Sequence, residues 1–365
     1  MADIQKDPQL INVYDYAEAA KLHLPQMMYD FIAGGAVDEI TLRENQRAFD
    51  RIKLQYRVLR GVGPRDLSTT ILGHTLSLPI LLAPTGSQKL VHPEGEIGVR
   101  KAADTVETLM MLGTTATTSM GEVVAAGSSP IWFQLFWLKD FEFTMEIVAR
   151  AEATGFEAIV LTVDAPVFGV RERDIRNQFE LPPGLTYENL PEDQSEQIVS
   201  SNVAEFMNRY WKTSVSWQEV DKLCANTSLP VLIKGVCHPD DARLAIEHGA
   251  SGVIVSNHGG RQLDSAPATI EVLPQIVAAV QNKLPVLLDG GIRRGSDVLK
   301  AIALGAKAVA IGRPMLWGLA VNGQAGVEHV LQILRRELDI AMALCGCTTI
   351  ADISPDLIFD PNKTV

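Results

Sequence analysis

The segment SNHGGRQLD at 256–264 sets an imidazole and a guanidinium three residues apart, His258 and Arg261, on a glycine-rich turn that lets backbone approach a ligand. Histidine is the natural general base near neutral pH, and arginine can fork onto a carboxylate. The pair suggests proton removal from a carboxylate-bearing substrate. Asp164, closing the apolar run AIVLTVD, can orient the imidazole and stabilise its cationic form. Arg171, in FGVRERD, would supply a second guanidinium. Taken alone, His258 would read as a satisfied structural histidine; Asp164, Arg171 and Arg261 on one rim reverse that reading.

Lys234 ends the run VLIKGV, where a nearly buried ammonium needs an anionic or electron-rich partner. A Schiff-base lysine and a charge stabilising a reduced cofactor ring are both open. In DGGIRRGSD and IGRP, Arg293 and Arg313 stand beside glycine turns and backbone amides at helix starts. Unpaired N–H groups and a helix dipole favour an anion there, so a phosphorylated ligand is expected. Asp289, beside these arginines, can pair with one of them or bind a sugar hydroxyl. The bland alternative is a glycine turn with surface arginines.

Eight strand-length apolar runs can position these groups: 79–84, 109–115, 131–136, 158–164, 231–236, 252–258, 286–291 and 308–314. Helical stretches such as EFTMEIVARAEATGF, PDDARLAIEHGA and GSDVLKAIALGA follow them, each with one apolar face and a closing glycine. Continuous apolarity, without alternation, marks strands covered on both faces, as parallel sheets require. Eight β-α units close most simply into a (β/α)8 TIM barrel; an open doubly wound sheet is the alternative. Polar and small residues gather at the strand ends: Thr85, Gly86, Thr114, Thr115, Gln134, Thr162, Asp164, Lys234, Ser256, His258, Asp289, Gly312 and Arg313. In a barrel these ends share one rim, so separated motifs become one site.

Two regions lie outside the repeat. Residues 1–78 are expected to cap a barrel spanning 79–350 within a single domain of 1–365. The cap opens with one helical stretch, NVYDYAEAAKLHLPQMMYDFIAGG, stopped by Gly34-Gly35, and continues with short strands in RIKLQYRVL and TTILGHTLSL. Residues 180–215 break the rhythm with polar and acidic residues, which suggests a mobile lid over the rim. With 44 acidic against 32 basic side chains, the formal net charge of −12 repels phosphate backbones and anionic membranes, so nucleic acid is not an expected partner. Four scattered cysteines, Cys224, Cys237, Cys345 and Cys347, read as reduced thiols. The start MADIQKDPQL has no apolar core of a leader, and no stretch reaches membrane-spanning length; a cytoplasmic protein is expected.

Taken together, SNHGGRQLD, DGGIRRGSD with IGRP, LTVDAP followed by RERD, HPEGE at 92–96 and IKG at 233–235 resemble the FMN-dependent 2-hydroxy acid oxidases and dehydrogenases, which include glycolate, lactate and mandelate enzymes. The likeness runs from about residue 14 to 353, in order and with similar spacing. It implies FMN lying across the rim, its phosphate held by Gly291, Arg293, Gly312 and Arg313, with Asp289 also at the cofactor. Ring contacts would come from Thr85, Gly86, Gln134, Thr162, Lys234 and Ser256. His258 would be the base, Asp164 its partner, and Arg171 and Arg261 the clamp on the substrate carboxylate. Lys234 would stabilise the anionic reduced ring. A homotetramer is the implied assembly.

The pattern is broken at two positions. Relatives carry a tyrosine in the N-terminal segment and another after the third strand, where this chain has Phe31 and Phe136. Two hydroxyls that would reach the substrate are missing, at about 1 to 3 kcal/mol for each group left unpaired. Thr115 stands where several relatives have a bulky aromatic, and Gly86 and Gly113 where others often have Ala and Ser. A roomier, less polar pocket follows, suited to a 2-hydroxy acid with an aromatic or long apolar side chain, with dioxygen as the expected acceptor. The competing reading is a flavin-binding barrel of low or different activity, such as an isomerase or a non-oxidising binder.

Overall fold

The computed structural model describes residues 10–190 and 203–361. Eight parallel strands close into a barrel: β3 (Ile80–Leu82), β4 (Met110–Gly113), β5 (Ile131–Leu135), β6 (Ile159–Thr162), β7 (Val231–Val236), β8 (Gly252–Val255), β9 (Val286–Asp289) and β10 (Ala308–Ile311). β10 pairs with β3, so no sheet edge is left exposed, and the open-sheet alternative is excluded. All eight expected runs form strands; seven are shorter than the apolar run that contains them, and β7 fills its own. Gln134, Thr162, Lys234 and Asp289 belong to the ladder, while Thr85, Ser256, His258, Gly312 and Arg313 follow the strands onto the rim.

Buried faces on both sides explain the unbroken apolar runs. Leu81, Met111, Trp132, Val160, Leu232, Ile254, Leu287 and Ala310 fill the inside of the barrel, while Ile80, Leu82, Phe133 and Ile159 join the helices outside it. Helix Phe141–Thr154 ends at Gly155, whose φ of +104° only glycine adopts cheaply. The last helix, Arg313–Cys345, is two helices joined at Asn322 and Gly323, where φ and ψ leave the helical region.

The cap differs from the sequence expectation. Its first stretch is two helices, α1 (Val13–His23) and α2 (Gln26–Ala33), because Pro25 lacks an N–H to continue the ladder. A third helix, α3 (Ile40–Arg51), was not foreseen. RIKLQYRVL forms no strand: Leu54 makes a single bridge to Ile358, and Tyr56, Val58 and Leu59 are exposed. TTILGHTLSL does form the hairpin β1 (Thr69–Ile71) and β2 (His74–Leu76).

α3 is docked on the rim by a buried amide pair. Asn45 donates to Asn257 Oδ1 at 2.9 Å, and Asn257 donates back to Asn45 Oδ1 at 2.8 Å. The carbonyl of Asn45 lies 1.9 Å from where a Cβ on Gly291 would sit, so backbone meets backbone only because residue 291 is glycine. Asn45→Ala removes both bonds, leaves one N–H of Asn257 Nδ2 without a partner and takes the Oδ1 acceptor from the Thr269 amide. It is expected to cost about 2 to 4 kcal/mol of unfolding free energy, read as a lower urea midpoint at unchanged slope.

Candidate active site

His258 opens the turn after β8. Its φ is +56°, followed by Gly259 at +63° and Gly260 at +73°, three left-handed residues in a row. For a non-glycine residue this is strained backbone, which persists only where surrounding bonds fix it. Here the His258 amide donates to Ser256 Oγ at 3.1 Å, and Asn257 Oδ1 accepts from the Gly260 amide at 3.2 Å. The ring is fixed by Asp164, with Nδ1 2.9 Å from Oδ1.

Protonation follows from burial and charge. Burial pushes the Asp164 pKa up, but the His258 ring and the Lys234 ammonium outweigh it and hold the carboxyl below its ordinary range. An ionised Asp164 accepts, so Nδ1 carries the hydrogen and Nε2 keeps its lone pair. Burial also lowers the His258 pKa below its ordinary value; Lys234 and Arg171 lower it further, against the pull of Asp164. The imidazole is therefore held as a neutral base near pH 7.

Lys234, at the centre of β7, lies 3.2 Å from Asp289 Oδ2 and 3.0 Å from Ser256 Oγ. Burial works against its ammonium, yet the carboxylates of Asp289 and Asp164 raise its pKa above the ordinary value. Asp289 thus pairs with Lys234 and not with either arginine, because the parallel strands β7, β8 and β9 carry the three side chains inward side by side.

Arg171 is buried, and Arg261 lies half-buried near it. Burial first, then repulsion from Arg261, drives the Arg171 pKa well down, and burial also lowers that of Arg261. Among the described residues neither makes an ion pair within 4.0 Å; Arg171 donates to the Arg261 carbonyl at 3.4 Å, and Arg261 to the Gly34 carbonyl at 2.7 Å. Arg171 also stacks on Phe168 at 3.9 Å, and Arg261 lies over Phe31 at 5.4 Å. Two desolvated guanidiniums supported only by carbonyls and rings form a receptor for a small carboxylate.

The corner after β9 and β10 is built differently from the sequence expectation. The amides of Arg293 and Arg294 both donate to Asp297, at 3.0 and 2.9 Å, so the start of helix Gly295–Ala303 is already capped by its own chain. Arg313 directs its guanidinium to the carbonyls of Ile32, Gly34 and Gly259 at 3.0, 2.7 and 2.9 Å, pinning cap to rim. Arg293 remains as a buried cation over Trp317, its pKa lowered by burial to about 10, with Nε lacking a partner.

These groups share one cleft that opens to solvent. Thr85, Gly86, Gln134, Thr162, Lys234, Asp289, Gly291, Arg293, Gly312 and Arg313 line it, together with Phe31, Phe136, Arg171, His258 and Arg261. Ser256 stands behind Lys234, outside the lining. Phe31 stacks on Phe179 at 4.1 Å and Phe136 on Trp211 at 3.8 Å, giving apolar walls. Sequence reasoning missed Asn45, Phe168, Phe179, Tyr187, Met207 and Trp211: they belong to helices or loops outside the strand rhythm, where no spacing marks them. Of the expected lid at 180–215, residues 191–202 fall outside the described residues. Its flanks are tied down: the Glu188 amide donates to the Ala116 carbonyl at 3.1 Å, and the Lys212 amide to that of Trp137 at 2.9 Å.

The family model for FMN-dependent dehydrogenase matches residues 20–360. An L-lactate oxidase of Nostoc sp. is 49% identical over 356 residues, covering 95% of this chain and 98% of that protein. A glycolate oxidase of Spinacia oleracea is 48% identical over 349 residues, covering 95% of each. A crystal structure of mandelate oxidase with (S)-4-hydroxymandelic acid superposes with a TM-score of 0.91 at 41% identity, covering 96% of this chain and 98% of that one. The chain therefore belongs to the FMN-dependent dehydrogenase family, and its fold is that of these flavin oxidases. Its cofactor is FMN.

The cleft suits that cofactor. Gln134 Nε2, Asp289 Oδ1 and Arg293 Nε are buried without partners and line it, a costly arrangement unless a polar ligand meets them. FMN offers ring carbonyls, hydroxyls and a phosphate. At Gly312 a Cβ would meet only Thr85 and Ala83, at 3.6 and 4.0 Å, so the protein leaves room for a Cβ there. Gly312→Ala should leave the apoprotein's melting temperature within a degree or two while weakening FMN about tenfold, measured by fluorescence quenching of added FMN. Equal affinity would show that the cofactor does not approach this residue.

Proposed function

We propose that this protein oxidises an (S)-2-hydroxy acid to the 2-keto acid, with dioxygen as the electron acceptor and hydrogen peroxide as the second product. The observation that carries the reading is a neutral, Asp164-oriented imidazole facing the same cleft as two guanidiniums without ion pairs. Arg171 and Arg261 would take the substrate carboxylate, fixing the acid so that its α-carbon and hydroxyl stand toward His258. Nε2 would then remove one proton from the substrate, and Asp164 would stabilise the imidazolium formed. FMN, when bound, would accept the two electrons released together with the second hydrogen of the CH–OH group. Lys234, with Thr85, Gly86, Gln134 and Thr162, would hold its ring, the buried ammonium favouring negative charge there, and Ser256 would act from behind by holding the ammonium. Gly291, Arg293, Gly312 and Arg313 would hold its phosphate, and Asp289 would keep Lys234 charged.

The walls point to a large, apolar substrate. Phe31 and Phe136 bring no hydroxyl, and Phe179 and Trp211 stack behind them and hold the two rings in place. Phe168 and Met207 also line the cleft. Burying an added phenyl or alkyl group against them gains about 1.5 to 3 kcal/mol over a hydrogen. Anaerobic bleaching of the FMN-loaded enzyme should accordingly run faster with mandelate or a long-chain 2-hydroxy acid than with lactate, and slowest with glycolate. Glycolate as the best substrate would overturn the size preference, and bleaching by none of them would favour a flavin-binding barrel of another activity. Peroxide formed in equal amount with the keto acid checks the acceptor. A homotetramer, as the resemblance implies, is checked by light scattering.

The pH dependence has a definite sign. A base with a depressed pKa is lost only when acid protonates it, so kcat/KM should be flat above pH 6.5 and fall below it along a limb with a midpoint under 6.5. A limb centred above that value would contradict the neutral, desolvated imidazole. His258→Gln should reduce kcat about a hundredfold to ten-thousandfold with FMN retained.

A further inference from the structure

The two phenylalanines leave the cleft without the phenols that its relatives place there, yet one phenol does line it. Tyr187, in LPPGLTYENL after β6, is 1% exposed and bounds the same cleft as Arg171, Phe136 and Thr115. Its place is built by neighbours on both sides. The adjoining Glu188 amide donates to the Ala116 carbonyl at 3.1 Å; Asn189 Oδ1 accepts from the Met120 amide at 2.8 Å, and its Nδ2 donates to the Thr118 carbonyl at 3.1 Å. The loop after β4 therefore carries the loop of Tyr187. The cleft floor is close-packed: a Cβ on Gly86 would lie 2.2 Å from Thr115 Oγ1.

The hydroxyl is held inside this frame. Ser87 Oγ donates to it at 3.3 Å, and the Ser87 amide donates to the Thr115 carbonyl at 3.0 Å. Arg171 is near enough for its charge to stabilise the phenolate form, although burial prevails and pushes the Tyr187 pKa up to about 12. The group is thus a neutral phenol at any working pH, beside the guanidinium that faces the substrate carboxylate. We propose that Tyr187 is a substrate-contacting residue, supplying beside Arg171 the phenolic hydroxyl that Phe31 and Phe136 do not. This rests on the 2-hydroxy acid reading of the cleft. It makes the loop after β6, and not the positions at 31 and 136, the source of hydroxyl recognition in this chain.

Tyr187→Phe keeps the ring and removes one oxygen, so packing is preserved. Two measurements on the FMN-loaded protein separate the outcomes. The Kd of oxalate, a non-oxidised dicarboxylate probe, is read by calorimetry; kcat and KM are read for the best 2-hydroxy acid. Oxalate binding should weaken about tenfold, KM should rise by a similar factor, and the melting temperature and FMN affinity should not change. Phe136→Tyr added to Tyr187→Phe should recover part of the loss, which a packing defect would not allow. Unchanged oxalate affinity and KM would overturn the assignment, as would a loss accompanied by a lower melting temperature and no recovery. If no 2-hydroxy acid is oxidised by the wild type but oxalate still distinguishes the two proteins, the substrate reading fails while the contact from Tyr187 stands.

Discussion

The site depends on holding five cations around one cleft to whose lining, among the described residues, only Asp289 brings a carboxylate. Lys234, Arg171 and Arg293 are buried and Arg261 and Arg313 half-buried; Asp289 pairs with Lys234 and Asp164 with His258, while Asp174 and Glu39 act on the arginines without an ion pair to Arg171, Arg261 or Arg313. Desolvating that much like charge costs several kcal/mol per group unless each finds a partner. The chain supplies neutral partners: carbonyls of Ile32, Gly34, Gly259 and Arg261, and the faces of Phe31, Phe168 and Trp317. Carbonyls and rings support a guanidinium without neutralising it, so the cleft remains electropositive. An anionic substrate and an anionic cofactor are the charges that complete it, and their binding is expected to stabilise the fold by linkage.

This requirement explains why the cap cannot be separated from the site. Gly34 closes α2 with a carbonyl that accepts from both Arg261 and Arg313, the first from the turn after β8 and the second from the start of the last helix. The amide pair of Asn45 and Asn257 ties α3 to the residue that precedes His258. The strained turn carrying the base is therefore over-determined by bonds from the cap, the barrel and Asp164 together. Rigidity at the imidazole comes from elements that contribute no reacting group.

The barrel was legible because parallel strands covered on both faces must be apolar throughout, a signal that eight separate runs repeat. So was the proximity of His258, Asp164, Arg171, Arg261 and Lys234, since strand ends in a closed barrel share one rim. Three features escaped. The helix Ile40–Arg51 buries Thr41, Asn45, Ala48 and Phe49 at helical spacing, but two of those four are polar, so an apolar pattern does not mark its inner face. Asp289 pairs with Lys234 because β7 and β9 flank β8, a neighbour relation that appears only once register is known. The duty of Arg313 toward the cap, and the capping of Arg293 and Arg294 by Asp297, could not be told from a phosphate corner: glycine turns with arginines read alike whether the donors meet a ligand or the chain's own oxygens.

That ambiguity bears on how the phosphate would be held. With two amides committed to Asp297, the corner has fewer backbone donors than a bare helix start provides. Charge must then do more of the work than dipole, and the buried Arg293, partly unpartnered and backed by Trp317, is the group placed to do it. Arg313 spends three of its five N–H groups on the carbonyls of Ile32, Gly34 and Gly259, so two remain for a phosphate oxygen. The same guanidinium can hold the cap against the turn of His258 and meet the cofactor's anion at once, and neither duty has to be surrendered for the other.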